Sequence, residues 1–468
     1  MADAAIDNKT SLSPRHLIAG LAILAAIVIF ALPVPAGATA VTMRAASVTV
    51  FALGLYATGV IPGYYTSITY MLLAVLLAVA PQSVVFSGFH SSAVWLVFGG
   101  LVMGLGVRES GLGTRAVRAM LAYFPRSYFG TVAAVTYVGA AMGFVIPSAV
   151  GRVTLLVPIV LALAERIGFA PGSRGRGGLV LAAAAGTTIP TFGILPANVP
   201  NMGLIGAAES AYGIHFEYGE YLALNFPVIG VIGLALIPVL VSLRFADRPQ
   251  PAEDDAAETG WTRDERVLLF VLLAAIALWA TDFLHGISPA WVGMGAAVLL
   301  LMPRLGILPP TAIVQKLDLG PWLFVTGIIS MGAVATEAGL GKLIAQHLLS
   351  VLPLTPGAGF SNFAAIVGLG IGVGTVTTLP AAPAVMSPLA EGIAAASGWP
   401  LKTVLLAQVP AWMAIPFPHL APPVVAAIAL SGVTIAQTMR FLFPYLIAVV
   451  LVILPLQYLW GRLLGFYP

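Results

Sequence analysis

Ile146-Pro147-Ser148-Ala149-Val150-Gly151-Arg152-Val153-Thr154 interrupts an apolar region that runs from Thr131 to Leu163. Pro147 and Gly151 break a helix, and Ser148 suits a helix cap better than a helix interior. Arg152 stands where lipid-facing sequence forbids a charge, since an arginine at bilayer depth costs on the order of 3 kcal/mol or more. It survives there only beside an anion, a carboxylate, a cluster of carbonyls or water. The stretch reads as the tip of a re-entrant hairpin, with Arg152 helping to bind an anion.

The rest of the chain agrees with a membrane setting. Of 468 residues, 59% are hydrophobic and 8% charged, against about 25% charged in soluble domains. Several apolar runs reach the roughly 20 residues that a crossing needs. Composition therefore predicts an all-α membrane protein whose first partner is the lipid bilayer. The net charge of +3 comes from loop arginines and does not describe a nucleic-acid-binding face. Cysteine is absent, which excludes disulfides, thiolate chemistry and Cys-ligated metals. The 50 glycines and 35 prolines are spread through the apolar runs, where they mark broken helices and close helix packing. The run Leu17–Val34 follows Lys9, Arg15 and His16 and is longer than the roughly 7–15 apolar residues of a secretory signal. It reads as a retained first helix.

Outward from the tip, hydropathy predicts helices over 17–35, 45–62, 64–81 and 91–110, then an amphipathic piece over 112–125. The hairpin occupies 128–166, a broken helix 178–203 and a whole helix 221–242. Residues 244–266 hold eleven of the chain's 39 acidic and basic residues, with Pro249 and Pro251, and read as a solvated linker.

The second half echoes the first. Trp95-Leu96-Val97-Phe98-Gly99-Gly100 returns as Trp322-Leu323-Phe324-Val325-Thr326-Gly327, and Glu109-Ser110-Gly111-Leu112-Gly113 as Glu337-Ala338-Gly339-Leu340-Gly341. A second hairpin is expected over 361–396 and a second broken helix over 403–430. Helices at 265–284, 287–303 and 440–461 match those at 45–62, 64–81 and 221–242. The domain plan is thus an N-terminal tail and extra helix (1–44), a first repeat (45–242), a cytoplasmic linker (243–264) and a second repeat (265–468). Arg108, Arg115, Arg118, Arg126, Arg166, Arg174, Arg176, the linker arginines, Arg304 and Lys316 fall on one side, which sets the N-terminus inside. That gives about eleven transmembrane helices plus two re-entrant hairpins. Five spans per half is odd, so the repeats are inverted.

Inverted repeats with paired interruptions point to a secondary transporter. Broken helices free N–H and C=O groups at mid-membrane, and these persist only where they line a cavity or bind something. Half-helix N-termini favour anions, and freed carbonyls favour cations. The reading is alternating access of a small anion, coupled to a cation. Alternatives are a sodium-independent anion exchanger, a proton-coupled exporter and, from another class, an anion channel. No acid/base cluster, nucleophile elbow or metal-ligand spacing marks an enzyme.

The Trp-Leu helix ending in Glu-x-Gly-Leu-Gly, the hairpin arms carrying Pro158 and Pro388, and the loop Gly193…Pro196-Ala197-Asn198-Val199-Pro200-Asn201 together resemble the divalent anion:sodium symporter family. The resemblance covers the chain from about residue 45 onward. It implies a carrier of dicarboxylates, citrate or sulfate in the cell (inner) membrane, with sodium as coupling ion and no other cofactor. It also implies a homodimer in which hairpins and broken helices move as a body against the remaining helices. Where the family carries Ser-Asn-Thr at each tip, this chain has Ser148-Ala149-Val150 and Thr378-Leu379-Pro380.

Substrate contacts are accordingly expected from Ser148, Arg152, Asn198, Asn201, Thr377, Thr378 and His419. Arg152 offers paired hydrogen bonds to carboxylate, sulfonate or sulfate. His419 can donate to an anion or titrate as a coupling group. Cation contacts are expected from Ser148, Gly151, Thr187, Gly193, Thr375 and Thr378. Arg152 can also take over the charge role of one sodium as a fixed cation, which favours fewer coupling sodium ions, proton coupling or exchange.

Overall fold

A computed structural model describes residues 14–35, 37–115, 127–146, 148–248, 260–309, 311–341, 343–344 and 352–468. Lys9, Pro147, most of the amphipathic piece with Arg118, Arg126, and the prolines and acidic run of the linker lie outside them. The described residues are helical and contain no strand. The helix α1 (Pro14–Ala31) precedes α2 (Ala40–Thr58), α3 (Gly63–Leu76) and α4 (Ser92–Ser110). The first hairpin is α5 (Tyr128–Ala141) and α6 (Ala149–Arg166), and the first broken helix is α7 (Arg174–Thr188) and α8 (Val199–Tyr212). A continuous helix, α9 (Tyr218–Phe245), closes the first half.

In the second half, α10 (Arg263–Ala280), α11 (Pro289–Leu301) and α12 (Gly320–Glu337) lead to the second hairpin. This is α13 (Phe360–Val376) and α14 (382–397), the latter with a 3-10 turn at Ser387–Leu389. The second broken helix is α15 (Leu401–Leu406) and α16 (Pro422–Ser431), and α17 (Ile435–Leu463) ends the chain. Four helices, α2, α4, α9 and α17, are long and apolar enough to cross a membrane by themselves. Several shorter apolar helices accompany them, including α1, α3, α11 and α13.

Local chemistry sets the boundaries. Ser127 caps α5 by accepting from Gly130 N, and Ser148 caps α6 by accepting from Gly151 N at 3.1 Å. Thr39 and Thr42 form a capping box that starts α2 five residues earlier than hydropathy predicts. Arg44 is thereby drawn inside the helix, where its Nη1 donates to Leu77 O at 3.1 Å. Both long helices contain a π-turn, at Phe226–Gly230 and Val449–Ile453.

The first π-turn follows from Pro227, which has no N–H and leaves the carbonyl of Ala223 without its intrahelical donor. Trp460 Nε1 donates to Ala223 O at 2.8 Å, and Gln457 Nε2 donates to Leu224 O at 2.9 Å. The two long helices are thus joined by side-chain donors at the proline break. Trp460→Phe keeps an aromatic side chain but removes the donor to that carbonyl. It is expected to cost about 0.5–1.5 kcal/mol, read as a lower melting temperature in detergent, with little change in the affinity for substrate.

Glycine brings the hairpin and the broken helix together. Where α5 crosses α7, a Cβ on Gly139 would lie 2.8 Å from Thr187 N, and one on Gly186 would lie 2.6 Å from Thr136 O. Only backbone fits there, so the carbonyls of α7's last turn are carried up to the first hairpin tip. The arm α6 packs in turn on α16 from the other half.

Candidate functional site

Four chain breaks meet at one cavity of about 380 Å³. Its walls include Ser148–Val150, Asn198–Pro200, Thr378–Pro380 and Ala421–Pro423. Each segment leads into a helix N-terminus, of α6, α8, α14 and α16 respectively. The first turn of a helix has N–H groups without intrahelical partners and carries roughly half a positive charge. The opposite wall comes from the end of α2 (Tyr56), the turn after it (Ile61) and the start of α3 (Tyr64), and from Asp318 just before α12 with Pro321 and Phe324 in its first turns.

Arg152 is completely buried, one layer behind this cavity. Its Nε donates to Thr187 O at 3.0 Å, and its Nη1 donates to Ala197 O at 2.8 Å and to Ile146 O. Its Nη2 donates to Thr187 O at 2.6 Å, to Thr191 Oγ1 at 2.9 Å and to Asn198 Oδ1 at 3.1 Å. All five guanidinium N–H groups are therefore spent on protein oxygens, and no carboxylate is among them. In this conformation no guanidinium N–H is left to bond a ligand directly. Of the environments that let an arginine survive at depth, the chain uses a carbonyl cluster. The oxygens come from the hairpin tip (Ile146) and both ends of the broken loop (Thr187, Thr191, Ala197, Asn198). That is the donor set a dehydrated cation would otherwise take.

The other expected residues divide by place. Ser148, Asn198 and Thr378 line the cavity. The amide of Asn198 is held by Thr191 Oγ1 at 2.9 Å, so it links the Arg152 cage to the cavity wall. Thr188 lines the cavity too, and its buried hydroxyl has no protein partner. Asn201 is buried and donates to Phe192 O at 3.2 Å and Ile194 O at 2.8 Å, which fixes the 3-10 turn at Pro190–Gly193.

Gly193 packs against the π-turn, where a Cβ would lie 2.9 Å from Phe226 Cα. Thr187 contributes its carbonyl to the arginine, and its hydroxyl returns to Ala183 O at 2.8 Å. Gly151 spends its N–H on the Ser148 cap. At the second tip the Thr375 and Thr377 hydroxyls close on Ile371 O and Val373 O, each at 2.8 Å. His419 is exposed and stacked on Phe417 at 5.8 Å. The cavity brings together Ser148, Asn198 and Thr378 and leaves the rest behind or beside it. The carbonyls of Ile146 and Ala197 went unforeseen, because nothing in a side-chain pattern marks a backbone oxygen.

The profile of the sodium:sulfate symporter transmembrane region matches residues 14–467. The chain belongs to that family. This sodium:sulfate symporter relative is a multi-pass membrane transporter of anions and not an enzyme. A Cupriavidus necator protein described as a membrane protein is 26% identical over 414 residues, 79% of this chain and 77% of that one. The L-tartrate/succinate antiporter of Escherichia coli K12 is 25% identical over 287 residues. That match spans 57% of this chain and 58% of the antiporter. In solved structures, the Alcanivorax borkumensis YdaH transporter, described as having an unusual topology, shares the fold with a TM-score of 0.53. It is 14% identical, over 86% of this chain and 90% of that one.

Proposed function

We propose that this protein is a sodium-independent exchanger of small organic anions, working by alternating access through two inverted repeats. The observation that carries the reading is the Arg152 guanidinium filling an oxygen cage at the first hairpin tip. A sodium ion and a guanidinium cannot both occupy those oxygens. The tethered cation supplies the charge compensation that a symporter borrows from solution, and it never leaves.

A fixed charge also changes the cycle. With an anion bound, the charge behind the cavity is balanced. Without one, an uncompensated cation would have to cross the low-dielectric region, at a cost of several kcal/mol. The empty carrier is therefore slow to reorient, and loaded-for-loaded exchange is fast. The similarity to proteins named L-tartrate/succinate antiporters supports exchange as the mode. The loop arginines and lysines set the turn at 59–63 and the start of α12 on the cytoplasmic side. A cavity reaching from the tips to those two segments then belongs to an inward-facing conformation.

Counterflow in proteoliposomes tests the reading. Vesicles preloaded with unlabelled anion should accumulate labelled anion at least about tenfold faster than empty vesicles, with or without sodium and proton gradients. Equal uptake into empty vesicles, driven by a sodium gradient, would return the protein to sodium symport.

A further inference from the structure

We infer that the preferred substrate of this site is a monoanion with an apolar body, such as an aryl or alkyl carboxylate or sulfonate, and not a divalent anion. This rests on the exchange reading above and follows from the two halves being chemically unequal at the cavity.

The side built by the first half is polar and positive. Ser148, Thr188 and Asn198 line the cavity, the N-termini of α6 and α8 open onto it, and the Asn198 amide is held from behind by Arg152 and Thr191. The side built by the second half offers almost nothing to an anion. Pro380, Pro422 and Pro423 have no N–H. Three of the backbone donors that follow Thr378 and Leu420 are engaged. Leu379 N donates to Leu420 O at 3.2 Å, Ala381 N to Thr378 O at 3.0 Å, and Ala421 N to Pro418 O at 3.2 Å. Thr378 alone contributes a hydroxyl from this half, the bulkier Leu379 stands where the companion tip has Ala149, and Ala421 stands at the break where the first half has Asn198. Phe324 from the same half, with Phe192 and Ile61 from the first, continues the apolar surface.

A second carboxylate placed against this wall would lose its water without gaining donors, which costs several kcal/mol. An alkyl or aryl body placed there gains roughly 25 cal/mol per Å² of apolar surface buried. Charge bookkeeping agrees. One guanidinium balances one negative charge, and among the described residues lining the cavity the only ionisable acid is Asp318, which repels a dianion twice as strongly as a monoanion. The anionic head therefore sits at the first tip and the body points to the second.

The test is counterflow with reconstituted full-length protein against a panel of phenylacetate, benzenesulfonate, hexanoate, succinate and L-tartrate. At least one of the three monoanions should exchange with a half-saturation constant about tenfold or more below those of succinate and tartrate. In Leu379→Asn, which adds an amide donor to the apolar wall, the succinate-to-phenylacetate ratio should move about tenfold toward succinate. Succinate or tartrate exchanging as well as every monoanion in the wild type would overturn the substrate assignment while leaving exchange standing. A Leu379→Asn protein that retains exchange with an unchanged ratio would overturn it as well. Exchange of no panel member, or uptake that ignores internal anion, would instead bring down the exchanger reading beneath it.

Discussion

Arg152→Ala is expected to lower anion exchange by more than about a hundredfold in sodium-free medium. The substitution removes a buried cation and leaves the oxygens of Ile146, Thr187, Ala197, Thr191 and Asn198 facing an empty space. Stripping one partner from a buried ionic arrangement costs about 3–5 kcal/mol, and each orphaned acceptor adds to it. The loss should appear both in the melting temperature and in transport. It should also be partly reversible in an informative way. Vacated carbonyls at this spacing suit a small dehydrated cation, so millimolar sodium should restore part of the stability and part of the exchange. Arg152→Lys should fall in between. Its ammonium has three donors against five, so it keeps the charge and loses part of the cage.

Gly139→Val is expected to disable the protein as thoroughly, by a different route. A Cβ at this position meets Thr187 N at 2.8 Å and Gly186 C at 3.0 Å, both backbone atoms that cannot rotate away. The helices α5 and α7 must separate, and Thr187 O moves with α7, away from the guanidinium it holds. Overpacking of this kind costs about 1–3 kcal/mol or more, and a shift of an ångström at the cage is enough to lose transport. Gly139→Ala should be milder but clearly impaired, with a lowered melting temperature as the first sign. Sodium should not rescue either variant, because the cage itself is distorted. That separates them from Arg152→Ala.

Much of this was legible in the sequence, and what was hidden has a physical pattern. Helices and breaks announced themselves through side chains. Ser148 before Gly151, the prolines at 158 and 388, and glycines at 168 and 398 fix the hairpins, and the structure ends α6 at Arg166 and α14 at residue 397. The depth of Arg152 was legible too, since a charge in an apolar run has few permitted surroundings. Which of them it uses was not. A carbonyl belongs to every residue, and only three-dimensional closure of α5 on α7 shows that those of Ile146, Thr187 and Ala197 converge.

The same limit explains Asn201 and Gly193. Their motif suggests binding; in the fold the Asn201 amide nitrogen braces a 3-10 turn while its Oδ1 has no protein partner, and Gly193 yields room to the π-turn at Phe226. His419 was read from its place in a broken loop, but the loop turns its ring outward onto Phe417. The π-turns left no periodic trace, being single-residue insertions in otherwise regular apolar helices.

The guanidinium as a resident cation is the claim on which exchange, charge balance and substrate class all rest. Its most direct measurement is the rate of anion counterflow as sodium is titrated from zero against choline, for the wild type and Arg152→Ala side by side. The wild type should be flat across the titration, and the variant should rise from near zero to a partial plateau. A wild-type rate that climbs saturably with sodium, or a variant that runs at the wild-type rate without it, would contradict the account.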